Sequence, residues 1–192
     1  MPKQTKRSDT IKFLTQDELK RLLAAIDDKR DKAIFLIAYR HGLRVSEVGK
    51  LRVTDVDLKE RKIMVHRLKG SYSGQHPMQD DEVKIVRSYL KTRTIESPLL
   101  FPSKQRNPLD RTVLHRLMRY YGEQAGIPPD KQHFHTLKHS IATHLLDAGA
   151  DLRFVQDWLG HANISNTVIY TYLTSTVREQ KARTLFMKLP RF

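Results

Sequence analysis

Between residues 133 and 172 the sequence carries His133, His135, Lys138, His139, His144, His161, Tyr170 and Tyr172 among helix caps and aliphatic residues. Two further cations stand where a long side chain can reach across a cleft: Arg44, just ahead of a helix start, and Lys69, at a hairpin turn. Imidazoles, ammonium and guanidinium groups hold anions and move protons. Other chemistries lack their usual signals. The chain has no Cys, which removes disulfides, thiolate metal sites and a cysteine nucleophile. It has no G-x-S-x-G elbow, no P-loop and no dinucleotide fingerprint. The Asp pairs at 27–28 and 80–81 fall where helix ends would put them. His135 and His139, spaced i,i+4, could face one zinc ion, but the motif is H-T-L-K-H and lacks the glutamate base of zinc proteases. A helical hairpin with hydrogen-bonded histidines and packed tyrosines would use the same residues one by one. Their joint order decides between the two.

The whole chain is basic: 35 Lys+Arg against 21 Asp+Glu give a net charge of +14 over 192 residues. A domain so charged attracts polyanions, and neutralising phosphates releases counterions. Charge alone names no activity. Apolar content of 39% and this length suit one domain or one and a half, with a real core. The longest apolar stretches, such as 33-AIFLIAY-39, are too short to span a bilayer. The N-terminus, MPKQTKRSDT, has no apolar centre and is no secretory signal. A soluble, cytoplasmic protein is expected.

The elements that must position these residues can be placed in turn. Residues 1–12, with Lys3, Lys6, Arg7 and Lys12, predict a mobile basic arm. The run 15-TQDE-18 is a capping box, with Leu14 and Leu19 as its hydrophobic staple and an apolar stripe Leu19, Leu22, Leu23, Ile26 behind it. A second helix follows over 31–40 and stops at Gly42, and Ser46 begins a short third. Segments 53–58 and 62–67 are rich in β-branched residues and read as a hairpin, with a third strand near 75–79 after a polar turn at 69–74. Asp80 or Asp81 caps a helix to 92, Asp110 another to 125, Thr136 one over 137–148, and Asp151 one over 152–159. Shorter helical segments fit 165–172 and 176–187. The expected class is α+β, mainly helical, with a small three-stranded antiparallel sheet and no obvious interdomain linker.

The order of the candidate residues resembles the tyrosine recombinase (phage integrase) family. The matching stretches are 42-GLRVSEV-48, Lys69 on the hairpin turn, 135-HTLKHSIATHLLDAGAD-151, 158-WLGHANIS-165 and 167-TVIYTYL-173. The resemblance runs from about Leu14 to the end and implies a DNA breaking-rejoining fold, with 13–175 as the catalytic domain. It implies Arg44, Lys69, His135, Lys138, His161 and Tyr170 as the active-site set. The reaction implied needs neither metal nor ATP. A tyrosine phenolate attacks phosphorus, giving a 3′-phosphotyrosine and a free 5′-hydroxyl and so keeping the bond energy. Preplaced cations stabilise the charge gathering on the non-bridging oxygens. Arg44 would clamp the phosphate, Lys69 protonate the departing 5′-oxygen, and His135 and His161 donate hydrogen bonds or shuttle the nucleophile's proton. Tyr170 and Tyr172 compete for the attack; the family pattern I-Y-T favours Tyr170, nine positions after His161.

Two departures stand out. The family's H-x-x-R box has Lys138 in place of its arginine, which keeps the charge but loses the planar fork. The family's N-terminal helical domain has no counterpart in the dozen residues before the first helix. The expectation is either a truncation to the catalytic domain or a short member like the fimbrial phase-switch recombinases, a group that 66-HRLK-69 and 76-HP-77 also resemble. The tail 176-TVREQKARTLFMKLPRF-192 is expected to dock into a neighbouring protomer, or else to pack on its own domain. The expected partners are double-stranded DNA and three further copies in a tetramer on paired sites, the chain being a monomer or weak oligomer without DNA. Accessory DNA-bending proteins are expected helpers; no cofactor or membrane is expected. The competing readings are a DNA-relaxing enzyme of the same chemistry and a non-catalytic DNA binder in which Lys138 marks decay.

Overall fold

The computed structural model describes residues 11–68, 71–173 and 187. Helix α1 (Gln16–Ala24) opens on the expected box: Thr15 Oγ1 accepts from the Glu18 N–H at 3.1 Å, and Glu18 accepts from the Thr15 N–H at 2.7 Å. Leu14 and Leu19 are both buried. Helix α2 (Lys29–Arg40) is the centre of the molecule, and Asp28 caps it through the Asp31 N–H. Ala33 through Ala38 are all buried, because α2 packs on α4 along one side and on α6 along another. The apolar run too short for a bilayer is thus a helix surrounded by protein. Among the described residues no helix is long and apolar enough to cross a membrane.

A short α3 (Val45–Lys50) leads to the sheet of β1 (Val56–Asp57), β2 (Lys62–Val65) and β3 (Gly74–Pro77), antiparallel in the order β1-β2-β3. Ile63 pairs with Val56 on one side and His76 on the other. Four helices then follow, α4 (Asp80–Thr92), α5 (Arg111–Gln124), α6 (His135–Asp147) and α7 (Leu152–Trp158), before the short α8 (Ser165–Val168), which runs on as a 3-10 turn over Ile169–Leu173. The main core joins α1 to α5, the sheet and the start of α6. A second cluster, Ile141, Ala142, Leu146, Val155, Leu159 and Tyr170, lies between α6, α7 and the last turn.

Several boundaries differ from those expected. The segment 53–58 is mostly a 3-10 turn, Val53–Asp55, with a two-residue strand after it. Its β-branched residues predict a strand, but Asp55 accepts the Arg52 N–H at 2.8 Å and curls the chain first. Gln79, not Asp80 or Asp81, stands at the cap of α4, where its N–H donates to Glu82. Helix α3 starts at Val45 rather than Ser46. Helix α6 starts at His135, with Phe134 buried in the core at its cap position, so Thr136 is inside the helix and caps nothing. Core packing of Phe134 against Phe35 outweighs the preference of threonine for a cap. The expected helix over 176–187 and nearly all of the tail lie outside the described residues, as do residues 1–10 of the arm. Lys12, at the end of that arm, pairs with Asp130 at 2.8 Å.

Candidate active site

The site is built where helices end. Helix α2 closes with Gly42 at φ +57°, the Leu43 N–H returning to Ala38 O at 2.9 Å. This left-handed turn projects the chain into Arg44 and the start of α3. Arg44 itself caps α3 without a side-chain cap bond; instead Glu47 Oε2 accepts its backbone N–H at 2.9 Å. The Arg44 guanidinium donates to Glu47 Oε1 at 2.9 Å and to Ser71 Oγ at 3.3 Å, with 30% of its side chain still open to solvent. Glu47 is buried, and burial alone raises its pKa. The Arg44 N–H and the charges of Arg67 and Lys138 outweigh this and hold it below the ordinary carboxylate value. It is a fixed anion that orients Arg44.

Arg67 shares that carboxylate at 2.9 Å and also donates to His41 O, Gly42 O and Trp158 O at 2.7, 2.9 and 2.7 Å. Those carbonyls lie at the C-terminal ends of α2 and α7, where helix dipoles favour a cation and backbone acceptors need partners. One buried guanidinium therefore ties the sheet to two helix ends and to the residue that holds Arg44. Beside it, Trp158 stacks on His76 with ring centres 4.0 Å apart, so the 76-HP-77 fragment is part of the packing behind the site.

Lys138, one turn into α6, is buried and donates to Leu159 O at 3.1 Å. Burial, and then the charges of Arg67 and Arg44, lower its pKa to about 6. His161 follows Gly160, whose φ of +67° turns the chain out of α7 so that the His161 N–H reaches Gln156 O. Its Nδ1 meets Thr167 Oγ1 at 2.9 Å, and its backbone bridges to Ser71, beside Arg44. Burial, followed by the charges of Lys138, Arg44 and Arg67, takes its pKa to about 4. Gly160 leaves no room for a side chain: a Cβ would stand 2.6 Å from Tyr72 O. Gly160→Ala is therefore expected to destabilise by about 2 kcal/mol, through left-handed strain and displacement of the 71–72 segment, lowering the melting temperature by about 4–8 °C in a thermal scan.

His135, at the N-terminus of α6, is exposed and lines a cleft of about 460 Å³ with Arg44, Lys50 and Arg111. Partial desolvation, then Lys138 and Arg44, lower its pKa. Tyr170 is only 2% exposed, seated in the second cluster on the last turn. Its hydroxyl lies 2.8 Å from His139 Nδ1. Burial raises the phenol's pKa while the Arg44 charge pulls the other way. Of the six residues expected from the sequence, Arg44 and His135 line this cleft, and Lys138, His161 and Tyr170 are buried near enough to feel the Arg44 charge. Lys69 and the side chain of Tyr172 lie outside the described residues. Glu47, Arg67, Ser71 and His139 were not expected. The first lies inside 42-GLRVSEV-48, the second inside 66-HRLK-69, and His139 inside the H-T-L-K-H run considered for zinc. Its ring centre is 6.2 Å from that of His135, and its Nδ1 is turned to Tyr170.

The model of the phage integrase family matches residues 12–176. The chain belongs to the phage integrase family. Its relatives include tyrosine recombinase XerA of Pyrococcus horikoshii, 40% identical over 167 residues that cover 85% of this chain and 58% of that protein. Another is type 1 fimbriae regulatory protein FimB of Escherichia coli K12, 38% identical over 167 residues, 83% of each chain. The chain therefore spans little more than half of XerA but most of FimB. Among solved structures, the crystal structure of XerA recombinase superposes with a TM-score of 0.80 at 34% identity, covering all of this chain and 68% of that one. XerH site-specific recombinase bound to its palindromic difH substrate, in a post-cleavage complex, shares the fold with a TM-score of 0.77 at 23% identity, over 93% of this chain and 54% of that one. Within the phage integrase family match fall every helix and strand described above and all six residues expected from the sequence.

Proposed function

We propose that this chain is a site-specific DNA recombinase that cuts and rejoins strands through a covalent link to Tyr170, integrating, excising or inverting DNA. The observation that carries this reading is the convergence of Lys138, His161 and Tyr170, from α6, the turn after α7 and the last turn, around the Arg44 charge at the start of α3. In this reading Arg44, aimed by Glu47 and Ser71, clamps a phosphodiester through its free donors, and His135 and His161 donate to the non-bridging oxygens. Lys138, in its protonated form favoured by the bound phosphate anion, adds a further positive group, and Lys69 protonates the departing 5′-oxygen. Tyr170 attacks phosphorus, giving a 3′-phosphotyrosine. Tyr170 is buried with its hydroxyl on His139, so the groups covering that oxygen must give way for phosphate to reach it while the His139 contact is kept. The net charge of +14 supports duplex DNA as the partner, and four copies on paired sites are the arrangement proposed.

The test is a nicked half-site, which traps the covalent adduct when the cut fragment diffuses away. The expected result is a slow-migrating protein–DNA band on a denaturing gel, absent in Tyr170→Phe, with no need for divalent metal. DNA binding without an adduct would make the chain a binder only, and an adduct that survives Tyr170→Phe would displace the nucleophile. A plasmid bearing two sites then separates recombination from relaxation.

A further inference from the structure

The mechanism above leaves one contact unused, the 2.8 Å approach of Tyr170 Oη to His139 Nδ1. We propose that His139 is a further catalytic residue, whose Nδ1 accepts the phenolic proton of Tyr170 as Oη bonds to phosphorus. The inference rests on the reading of Tyr170 as nucleophile. It follows from which nitrogens are already engaged. His161 Nδ1 is occupied by Thr167 Oγ1. His135 is exposed at the cleft, its ring centre 6.2 Å from that of His139. His139 touches the reacting oxygen itself, and with its own proton on Nε2 it presents the Nδ1 lone pair to the hydroxyl.

The groups facing His139 are Tyr170 from the last turn, His135 and Lys138 on its own helix, and His161 from the turn after α7. Burial, then His135 and Lys138, hold its pKa near about 4, so it is a neutral acceptor at pH 7. A phosphodiester anion clamped by Arg44 adds the nearby negative charge that favours the imidazolium. The Oη–P bond forms and the Oη proton passes to Nδ1. The P–O5′ bond breaks with its electron pair on O5′, which takes a proton from a donor, Lys69 in the proposed mechanism. Resealing runs the same transfers backward, and His139 returns the proton to the tyrosine.

The experiment is single-turnover cleavage of the nicked half-site by the full chain, from about pH 5.5 to about pH 9. His139→Asn places an amide oxygen near the Nδ1 position, so it can hold the tyrosine but cannot take its proton. It is expected to cleave about 100-fold more slowly, with a rate that climbs about tenfold per pH unit where the wild-type profile levels off, and with unchanged DNA affinity. His139→Ala is expected to regain rate when free imidazole is added, while Tyr170→Phe regains none. His139→Asn cleaving at the wild-type rate and profile would reduce the residue to packing and overturn the proposal. So would His139→Ala that binds DNA normally yet gains nothing from imidazole. An adduct persisting in Tyr170→Phe would instead overturn the nucleophile, a separate failure.

Discussion

Arg67→Met is expected to lower the stability of the domain by about 3–5 kcal/mol, seen as a fall in the urea midpoint without a change in slope. The side chain is buried, and its guanidinium makes four bonds: to Glu47 Oε2, His41 O, Gly42 O and Trp158 O. Methionine fills much of the volume but satisfies none of the four. It leaves backbone carbonyls at two helix ends without donors, and it strips one of two cations from a carboxylate that is itself 1% exposed. Arg44 still holds Glu47, which keeps the cost from rising further. Arg67→Lys separates charge from geometry. An ammonium restores the ion pair, but its three donors leave one point and cannot span two helix ends, so less than half of the loss is expected to return. Because Glu47 aims Arg44, both variants are expected to cleave DNA slowly even at temperatures where they remain folded. A midpoint within about 0.5 kcal/mol of wild type for Arg67→Met would show that the helix ends need no such tie.

The residues that were legible in the sequence share one property: their signals are local. The box at Thr15 and Glu18 is closed by bonds three residues apart, and Gly42, Gly149 and Gly160 end helices by adopting positive φ. The order of Arg44, His135, Lys138, His161 and Tyr170 is also a one-dimensional pattern, which is why the resemblance to the family and its candidate set is legible. What could not be read is who touches whom across elements. Arg67 bonds a residue 91 positions away, and Tyr170 one 31 positions away. Periodicity marks the face a side chain occupies, not its partner there. The same limit explains Thr136, whose cap preference yields to the packing of buried Phe134, and Val53, whose strand preference yields to the Asp55 turn. His139 shows it most sharply. Its i,i+4 spacing to His135 suggests a shared metal, whereas the fold turns its Nδ1 to the tyrosine.

Lys138→Arg is expected to speed single-turnover cleavage by about 10–100-fold, the equivalent of about 1.5–3 kcal/mol for one charged hydrogen bond regained. Lysine offers the phosphate a point charge, whereas arginine offers a planar fork that can hold two oxygens. The environment sharpens the contrast. Burial, with Arg67 and Arg44 nearby, puts the Lys138 pKa at about 6, so the amine sheds its proton as pH rises through that value. Arginine keeps its charge throughout, and the advantage of the variant is therefore expected to widen from pH 6 toward pH 8. Stability should move the other way. Unfolded Lys138 holds its proton up to the ordinary value of 10.5, and folded Lys138 only to about 6. The unfolded chain thus binds more protons between those limits, and this residue makes folding more favourable as pH rises across that window. The arginine variant loses that slope and must bury a permanent cation at Leu159 O in place of an amine that can go neutral, at an expected cost of about 1–3 kcal/mol. A nicked-substrate assay in which the arginine variant yields less adduct than wild type at every pH would show that this site is tuned to lysine, and that the missing fork is no deficit.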